Sequence, residues 1–317
     1  MKTKLLVSAL FVLTAGVVVA YPMLDDGPLP VAPPGKPPIA TITPPTTASR
    51  PKVDVVFVLD TTGSMSGLID AAKENIWAIA SSMAQAQPSP ELRIGLVAFR
   101  DRGDEYVTRV VDLSPDLDSM YATLMDFRAD GGGDTPESVN QALHEAVHRM
   151  SWTTQGDAYK VVFLVGDAPP AQYPDDVDYP DTIKAAMAKG IVVNTILAGA
   201  DPTAEREWVR IAQLNQGKHF TVGQQGDAIA VATPFDAELA TLSENLDRTR
   251  IYYGDEAAQA KAASKAAATD KLHAAGSVAA RAKRAMYNAS DTGKANLLGE
   301  QELVDAVSSG RVALEAV

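Results

Sequence analysis

The chain has 317 residues, is 46% hydrophobic and carries a formal charge of −12, enough apolar material for one sizeable core with appendages. It contains no cysteine, which excludes disulfides, thiolate metal sites and cysteine nucleophiles. Residues 1–51 sum to +2, residues 255–317 to zero and residues 52–254 to −14, and so acidic a body repels phosphate backbones and argues against a nucleic-acid partner.

Residues 1–20 read as a signal peptide. Lys2 and Lys4 precede a mostly apolar stretch from Leu5 to Ala20, with Val18 and Ala20 marking a small-residue cleavage site. Those sixteen residues fall short of the roughly 20 that a spanning helix needs. Removal is therefore expected, with retention as an outward-facing N-terminal membrane anchor as the alternative. Either outcome predicts a secreted or periplasmic protein. Residues 21–51 carry Pro33-Pro34, Pro37-Pro38 and Pro44-Pro45, the composition of an extended linker.

Residues 52–250 alternate strand and helix patterns. Val53 to Leu59 is a short β-branched run that reads as a buried strand. A helix is expected over Met65 to Gln87, then strands over Leu92 to Phe99 and Tyr106 to Leu113. Helices over Pro115 to Phe127 and Pro136 to Met150 each open on a proline, which suits a first-turn position. Next come a strand over Tyr159 to Val165, a helix over Tyr179 to Lys189 and a strand over Ile191 to Leu197. A helix over Pro202 to Asn215, a strand over His219 to Val222 and a helix over Pro234 to Leu246 complete the series. Such alternation predicts an α/β fold: a doubly wound, mostly parallel sheet with helices on both faces. Residues 251–317 turn alanine-rich and read as helical, either as a hairpin packed on the domain or as a solvated, partner-seeking segment.

Three loops carry oxygen donors. Asp60-Thr61-Thr62-Gly63-Ser64 leaves the first strand with a carboxylate and two alternating hydroxyls. Thr135 follows the glycine-rich Gly131-Gly132-Gly133-Asp134, and Asp167 follows the strand ending at Val165. Asp60, Thr62, Ser64, Thr135 and Asp167 are hard ligands suited to Mg²⁺ or Mn²⁺, and strand-end loops are where open α/β sheets bind ligands. Helix capping by the same residues is the plainer account of each one singly.

In order and spacing these residues resemble a von Willebrand factor A-type domain with its metal-ion-dependent adhesion site: D-x-S-x-S, a distant threonine and a distant aspartate. Asp60, Thr62 and Ser64 fall on the first element, Thr135 on the second and Asp167 on the third, with Thr62 replacing a serine. Asp-Thr-Thr-Gly-Ser-Met, Phe-Arg-Asp, Gly-Gly-Gly-Asp-Thr-Pro-Glu and Gly-Asp-Ala-Pro-Pro are similar to secreted, largely bacterial members. The resemblance spans residues 52–250. It implies a binding module, not an enzyme, that captures an aspartate or glutamate of a partner protein at a divalent cation.

Two other motifs compete. His144-Glu145-Ala146-Val147-His148 matches the H-E-x-x-H zinc-peptidase pattern. A helical projection places Val139, Ala142, Leu143, Ala146, Val147 and Met150 on one apolar face, with His144 and His148 toward solvent, which favours a chance match. Arg102-Gly103-Asp104 spells an adhesion tripeptide but reads as a charged turn, with Asp101 near the metal loop. The acidic loop Tyr173 to Asp181 reads as a solvated surface. A third possibility is a structural assembly factor in which metal is incidental.

Overall fold

The computed structural model describes residues 50–133, 135–154, 158–223, 233–294 and 301–313, apart from the side chains of residues 72–76 and 78. The expected signal peptide and almost all of the linker lie outside these residues.

Six strands form one sheet: β1 (Lys52–Asp60), β2 (Glu91–Phe99), β3 (Thr108–Ser114), β4 (Ala158–Gly166), β5 (Ile191–Ala198) and β6 (His219–Val222). Their order is β3-β2-β1-β4-β5-β6, all parallel except β3, which runs antiparallel to β2. Central strands of a parallel sheet are covered on both faces, so β1 is apolar without alternation; Val55, Val56 and Val58 are fully buried. One face is covered by α1 (Ser66–Ala84) and α2 (Leu117–Asp126), the other by α3 (Val139–His148), α4 (Tyr179–Ala188) and α5 (Pro202–Leu214).

The expected doubly wound α/β sheet is therefore observed, with element ends within a few residues of those read from sequence. The helix expected from Pro136 differs most. It begins at Val139, because residues 137–138 are drawn aside by pairing. The Glu137 N–H donates to the Pro169 carbonyl (3.0 Å) and the Ala171 N–H donates to the Glu137 carbonyl (2.7 Å). Pro115 also precedes its helix, whose cap is Asp116, accepting from the Ser119 N–H (3.2 Å).

The C-terminal segment is a packed part of the structure. Helices α6 (Asp236–Asp247), α7 (Glu256–Ala275), α8 (Val278–Ala289) and α9 (Leu303–Ser308) follow β6. Leu272, Ala280 and Tyr287 join the core formed by α1 and α2 against the sheet. Trp77 of α1 lies between Tyr121 and Tyr287, at ring-centroid distances of 5.7 and 5.8 Å. The anchor is Arg284, only 1% exposed. Its Nε donates to Asp118 Oδ1 (2.5 Å), Nη2 to Asp118 Oδ2 (2.6 Å), and Nη1 to Asp247 Oδ2 (2.5 Å) and Ser243 Oγ (3.0 Å). Alanine supplies the helical propensity, and a few large side chains with one buried ionic network supply the docking. Among the described residues no helix is long and apolar enough to cross a membrane.

Candidate metal centre

The sheet reverses direction of winding at β1. Strands β2 and β3 lie to one side of it and β4 to β6 to the other, so the carboxyl end of β1 is a topological switch point, where such sheets open a crevice. Asp60 ends β1 there. Gly166 ends β4 beside it, and a Cβ on Gly166 would fall 2.9 Å from Asp60 Cβ and 3.0 Å from Asp60 Oδ2. Only glycine leaves the carboxylate its space. Asp167, half-buried, is the next residue.

The Asp60 carboxylate is 1% exposed. Its Oδ1 accepts from the Thr62 N–H (2.9 Å) and the Thr62 hydroxyl (2.7 Å). Its Oδ2 is buried and, among the described residues, has no hydrogen-bond partner. Burial pushes the Asp60 pKa from its usual 3.8 up to about 7, and the Asp167 charge adds to this, against the lowering effect of the Thr62 bonds and of the Asp167 backbone N–H. The Thr62 hydroxyl lies 3.3 Å from that of Ser64, which is exposed. Asp60, Thr62 and Ser64 thus form one continuous oxygen surface opening outward from a buried carboxylate.

The loop after β1 is held from several sides. The Thr61 N–H and hydroxyl both donate to the Phe99 carbonyl (2.9 Å each), and the Thr61 carbonyl accepts from the Asp130 N–H (3.1 Å) and Arg100 Nε (3.2 Å). The Gly63 N–H donates to the Gly131 carbonyl (3.2 Å), which brings the glycine-rich loop over the site. Gly132 has φ +73°, and a Cβ there would lie 2.8 Å from Thr62 Cβ, so both its backbone and its neighbour require glycine. Thr135 lies farther along this loop with an exposed side chain.

Sequence reading missed Glu137. It is 2% exposed, its Oε2 is buried without a hydrogen-bond partner among the described residues, and its Oε1 would be 3.3 Å from a Cβ on Gly132. Burial first, then the charges of Asp60, Asp101, Asp104 and Asp167, push its pKa from the usual 4.5 up to about 8. Among the described residues neither Asp60 nor Glu137 has an ion-pair partner. The available signal was a carboxylate two residues after the threonine, masked by its resemblance to an ordinary first-turn helical acid. Among the described residues no three His, Cys, Asp or Glu side chains converge as a metal-binding group. Any cation held here depends on the hydroxyls and on water, the donor set that suits Mg²⁺.

Asp101 is buried beside the centre, accepting from Ser138 Oγ (2.8 Å) and the Tyr173 hydroxyl (2.6 Å). The tripeptide at 102–104 is a surface turn, with Arg102 and Gly103 exposed, whose two charged side chains are engaged. Arg102 donates to Asp175 (2.8 Å) and Asp176 (2.9 Å) and stacks over the Tyr173 ring, while Asp104 accepts from the Gly132 and Asp101 N–H groups. The acidic loop at 173–181 touches this turn through Tyr173, Asp175 and Asp176, while Pro174, Asp175, Val177, Asp178 and Asp181 are exposed, as a solvated surface loop would be.

On α3 the expected apolar face is buried against the sheet. His148 is exposed, whereas His144 is half-buried with Nδ1 shielded from solvent, and the two rings stack at 4.2 Å. His148 Nδ1 lies 2.9 Å from the His144 carbonyl oxygen. Glu145 accepts from the Thr108 hydroxyl (2.8 Å) and pairs with Arg149 (3.3 Å).

Comparison with known proteins bears on the domain as a whole. A protein described as ariadne-like with a RING finger, from Acanthamoeba polyphaga mimivirus, is 27% identical over 118 residues, covering 37% of this chain and 11% of the relative. The von Willebrand factor A domain-containing protein 7 of Rattus norvegicus is 38% identical over 97 residues, covering 31% and 10%. The chain thus spans about a tenth of the length of the curated relatives it matches. Proximal thread matrix protein 1 from the mussel byssus superposes with a TM-score of 0.42 at 17% identity, over 55% of this chain and 42% of that one. The model of the von Willebrand factor A domain matches residues 54–225, more than half of the sequence, and by that match the chain belongs to the von Willebrand factor A domain family.

Proposed function

We propose that the chain is an exported, non-enzymatic binding module that captures a carboxylate of a partner protein through a divalent cation at the carboxyl end of β1. A von Willebrand factor A domain suggests a protein-interaction module, and the finer reading rests on one observation. The Asp60 Oδ2 atom is buried and, among the described residues, unpartnered at a sheet switch point. An orphaned carboxylate oxygen is costly unless a ligand meets it.

The residues fit Mg²⁺ or Mn²⁺. Asp60, Thr62, Ser64, Thr135 and Asp167 would hold the ion, the hydroxyls as neutral oxygen ligands and the carboxylates in part through water. When bound, a divalent cation supplies an electrophilic position that a partner's aspartate or glutamate can occupy. Thr61, Gly63 and their bonds to Phe99 and Gly131 hold the loop in shape before any ion arrives. Gly166 leaves room for Asp60, and Thr62 engages its Oδ1, leaving the buried Oδ2 beside Gly166. Export rests on Lys2, Lys4 and the apolar stretch from Leu5 to Ala20.

Thermal unfolding with and without Mg²⁺ tests the cation. A native-state ligand at a hundredfold excess over its Kd adds about 2.7 kcal/mol, and Asp60→Ala should abolish that gain. Affinity capture with and without chelator, with identification of the eluted proteins, tests the partner. If alanine at Asp60, Thr135 or Asp167 left chelator-sensitive capture intact, the reading would be wrong.

A further inference from the structure

We infer that Glu137, which stands outside the D-x-S-x-S, threonine and aspartate pattern, is a further working carboxylate of the cation site, acting on the bound ion through water and through its charge. This rests on the reading that a cation binds beside Asp60.

Three observations carry the inference. First, the backbone of Glu137 is pinned on both sides to the loop that follows Asp167: its N–H donates to Pro169 and its carbonyl accepts from Ala171. The residue is therefore positioned by the same strand end that positions Asp167, and is no free member of a helix. Second, its side chain and that of Thr62 border the same space at Gly132. A Cβ at Gly132 would meet Thr62 Cβ at 2.8 Å and Glu137 Oε1 at 3.3 Å, so the missing side chain is what leaves room for both groups. Third, Oε2 is buried with no hydrogen-bond partner among the described residues, and the charges that bear on the residue are those of Asp60, Asp101, Asp104 and Asp167.

A glutamate serving only to hold the loop would be expected to accept a hydrogen bond or pair with a cation. Asp101 and Asp104 do the former, each accepting from named donors close by. Glu137 has a buried oxygen without such a donor, and the charges that bear on the residue are all acidic, a placement that a divalent cation would relieve. No group of three acidic side chains converges as a direct chelate among the described residues, so its action is placed in the outer shell. Outer-shell partners of a metal commonly alter affinity by about 10–100-fold.

The test is calorimetric titration of MnCl₂ into the full chain, with thermal unfolding of the metal-free protein alongside, for wild type, Glu137→Gln, Glu137→Asp and Asp60→Asn. Glutamine keeps the shape of a protonated glutamate and removes its ability to ionise. We expect Glu137→Gln to weaken Mn²⁺ binding about tenfold or more while its metal-free Tm equals or exceeds that of wild type. Glu137→Asp should recover part of the affinity, and Asp60→Asn should abolish binding. Wild-type affinity in Glu137→Gln, with binding still lost in Asp60→Asn, would overturn the role of Glu137 and leave the cation site standing. A lower metal-free Tm in Glu137→Gln would overturn it in favour of a structural role. Mn²⁺ binding that survives in Asp60→Asn, or that is absent from wild type, would overturn the cation site and this inference together.

Discussion

Arg284→Ala asks whether the alanine-rich tail is part of the domain or an appendage. The guanidinium is buried, makes two short bonds to Asp118 on α2 and reaches Asp247 on α6 from its own place on α8. Its removal leaves the Asp118 carboxylate buried with only the Thr269 hydroxyl at 3.2 Å and Lys265 at 3.9 Å. Breaking a buried pair by deleting one partner costs about 3–5 kcal/mol, because the remaining charge keeps its desolvation penalty. For a domain of this size that is roughly a 10 °C fall in Tm, since each kcal/mol lowers Tm by about 2–4 °C. Circular dichroism melts give the magnitude, and limited proteolysis before the transition shows where the chain opens. Replacing the network with apolar residues, Asp118→Leu with Arg284→Leu, should recover part of the loss. An Arg284→Ala protein whose Tm stays within 2 °C of wild type would refute the reasoning. So would selective release of residues beyond 250 with an unchanged main transition.

Removing the hydroxyl with Thr62→Val, which keeps the branched shape, should weaken Mg²⁺-dependent stabilisation and leave the metal-free Tm within a few degrees, read by the same melts. Gly166→Ala places a methyl within 3.0 Å of Asp60 Oδ2, so both metal-free stability and Mn²⁺ affinity should fall, by about 1–3 kcal/mol in stability, as overpacking does. The pH dependence of the metal-free protein has a defined sign. Asp60 and Glu137 have folded-state values near 7 and 8 against ordinary values of 3.8 and 4.5, so the folded chain binds more protons between about pH 4.5 and 8 and loses stability as pH rises through that window. Asp118 and Asp247 are held below the usual carboxylate range, by Arg284 against the opposing effect of burial, and their contribution is present above about pH 4 and lost as pH falls further. Urea midpoints in chelator should therefore be higher at pH 5 than at pH 8, and a flat or rising profile would contradict the site electrostatics. Finally, purified protein should carry less than stoichiometric zinc and show no peptidase activity, with Glu145→Gln indistinguishable from wild type. Zinc-dependent cleavage lost in that variant would restore the enzyme reading.

The strand and helix pattern was legible because it is local. An unbroken β-branched run such as Val53 to Leu59 has few alternatives to a buried parallel strand, and the apolar face of α3 follows from a 3.6-residue period. The ligand candidates on the β1 loop were legible for the same reason, since Asp60, Thr62 and Ser64 lie within five residues and are joined by their own hydrogen bonds. What tertiary structure decided was long-range. The pairing of Arg102 and Asp104 depends on Asp175, Asp176 and Gly132, none of them near in sequence. The docking of the tail depends on Asp118 meeting Arg284 across 166 positions. Glu137 looked like an acid in the first turn of a helix, and only its pairing with the loop after β4 stopped that helix at Val139 and turned the side chain into the site. By itself the sequence determined which segments become strands and helices and which oxygen donors end β1, because those follow from residue type and near-neighbour spacing. Which buried carboxylates share one crevice was decided by the crossing of the chain at the β1–β4 switch point, a property of topology that no short stretch of residues carries.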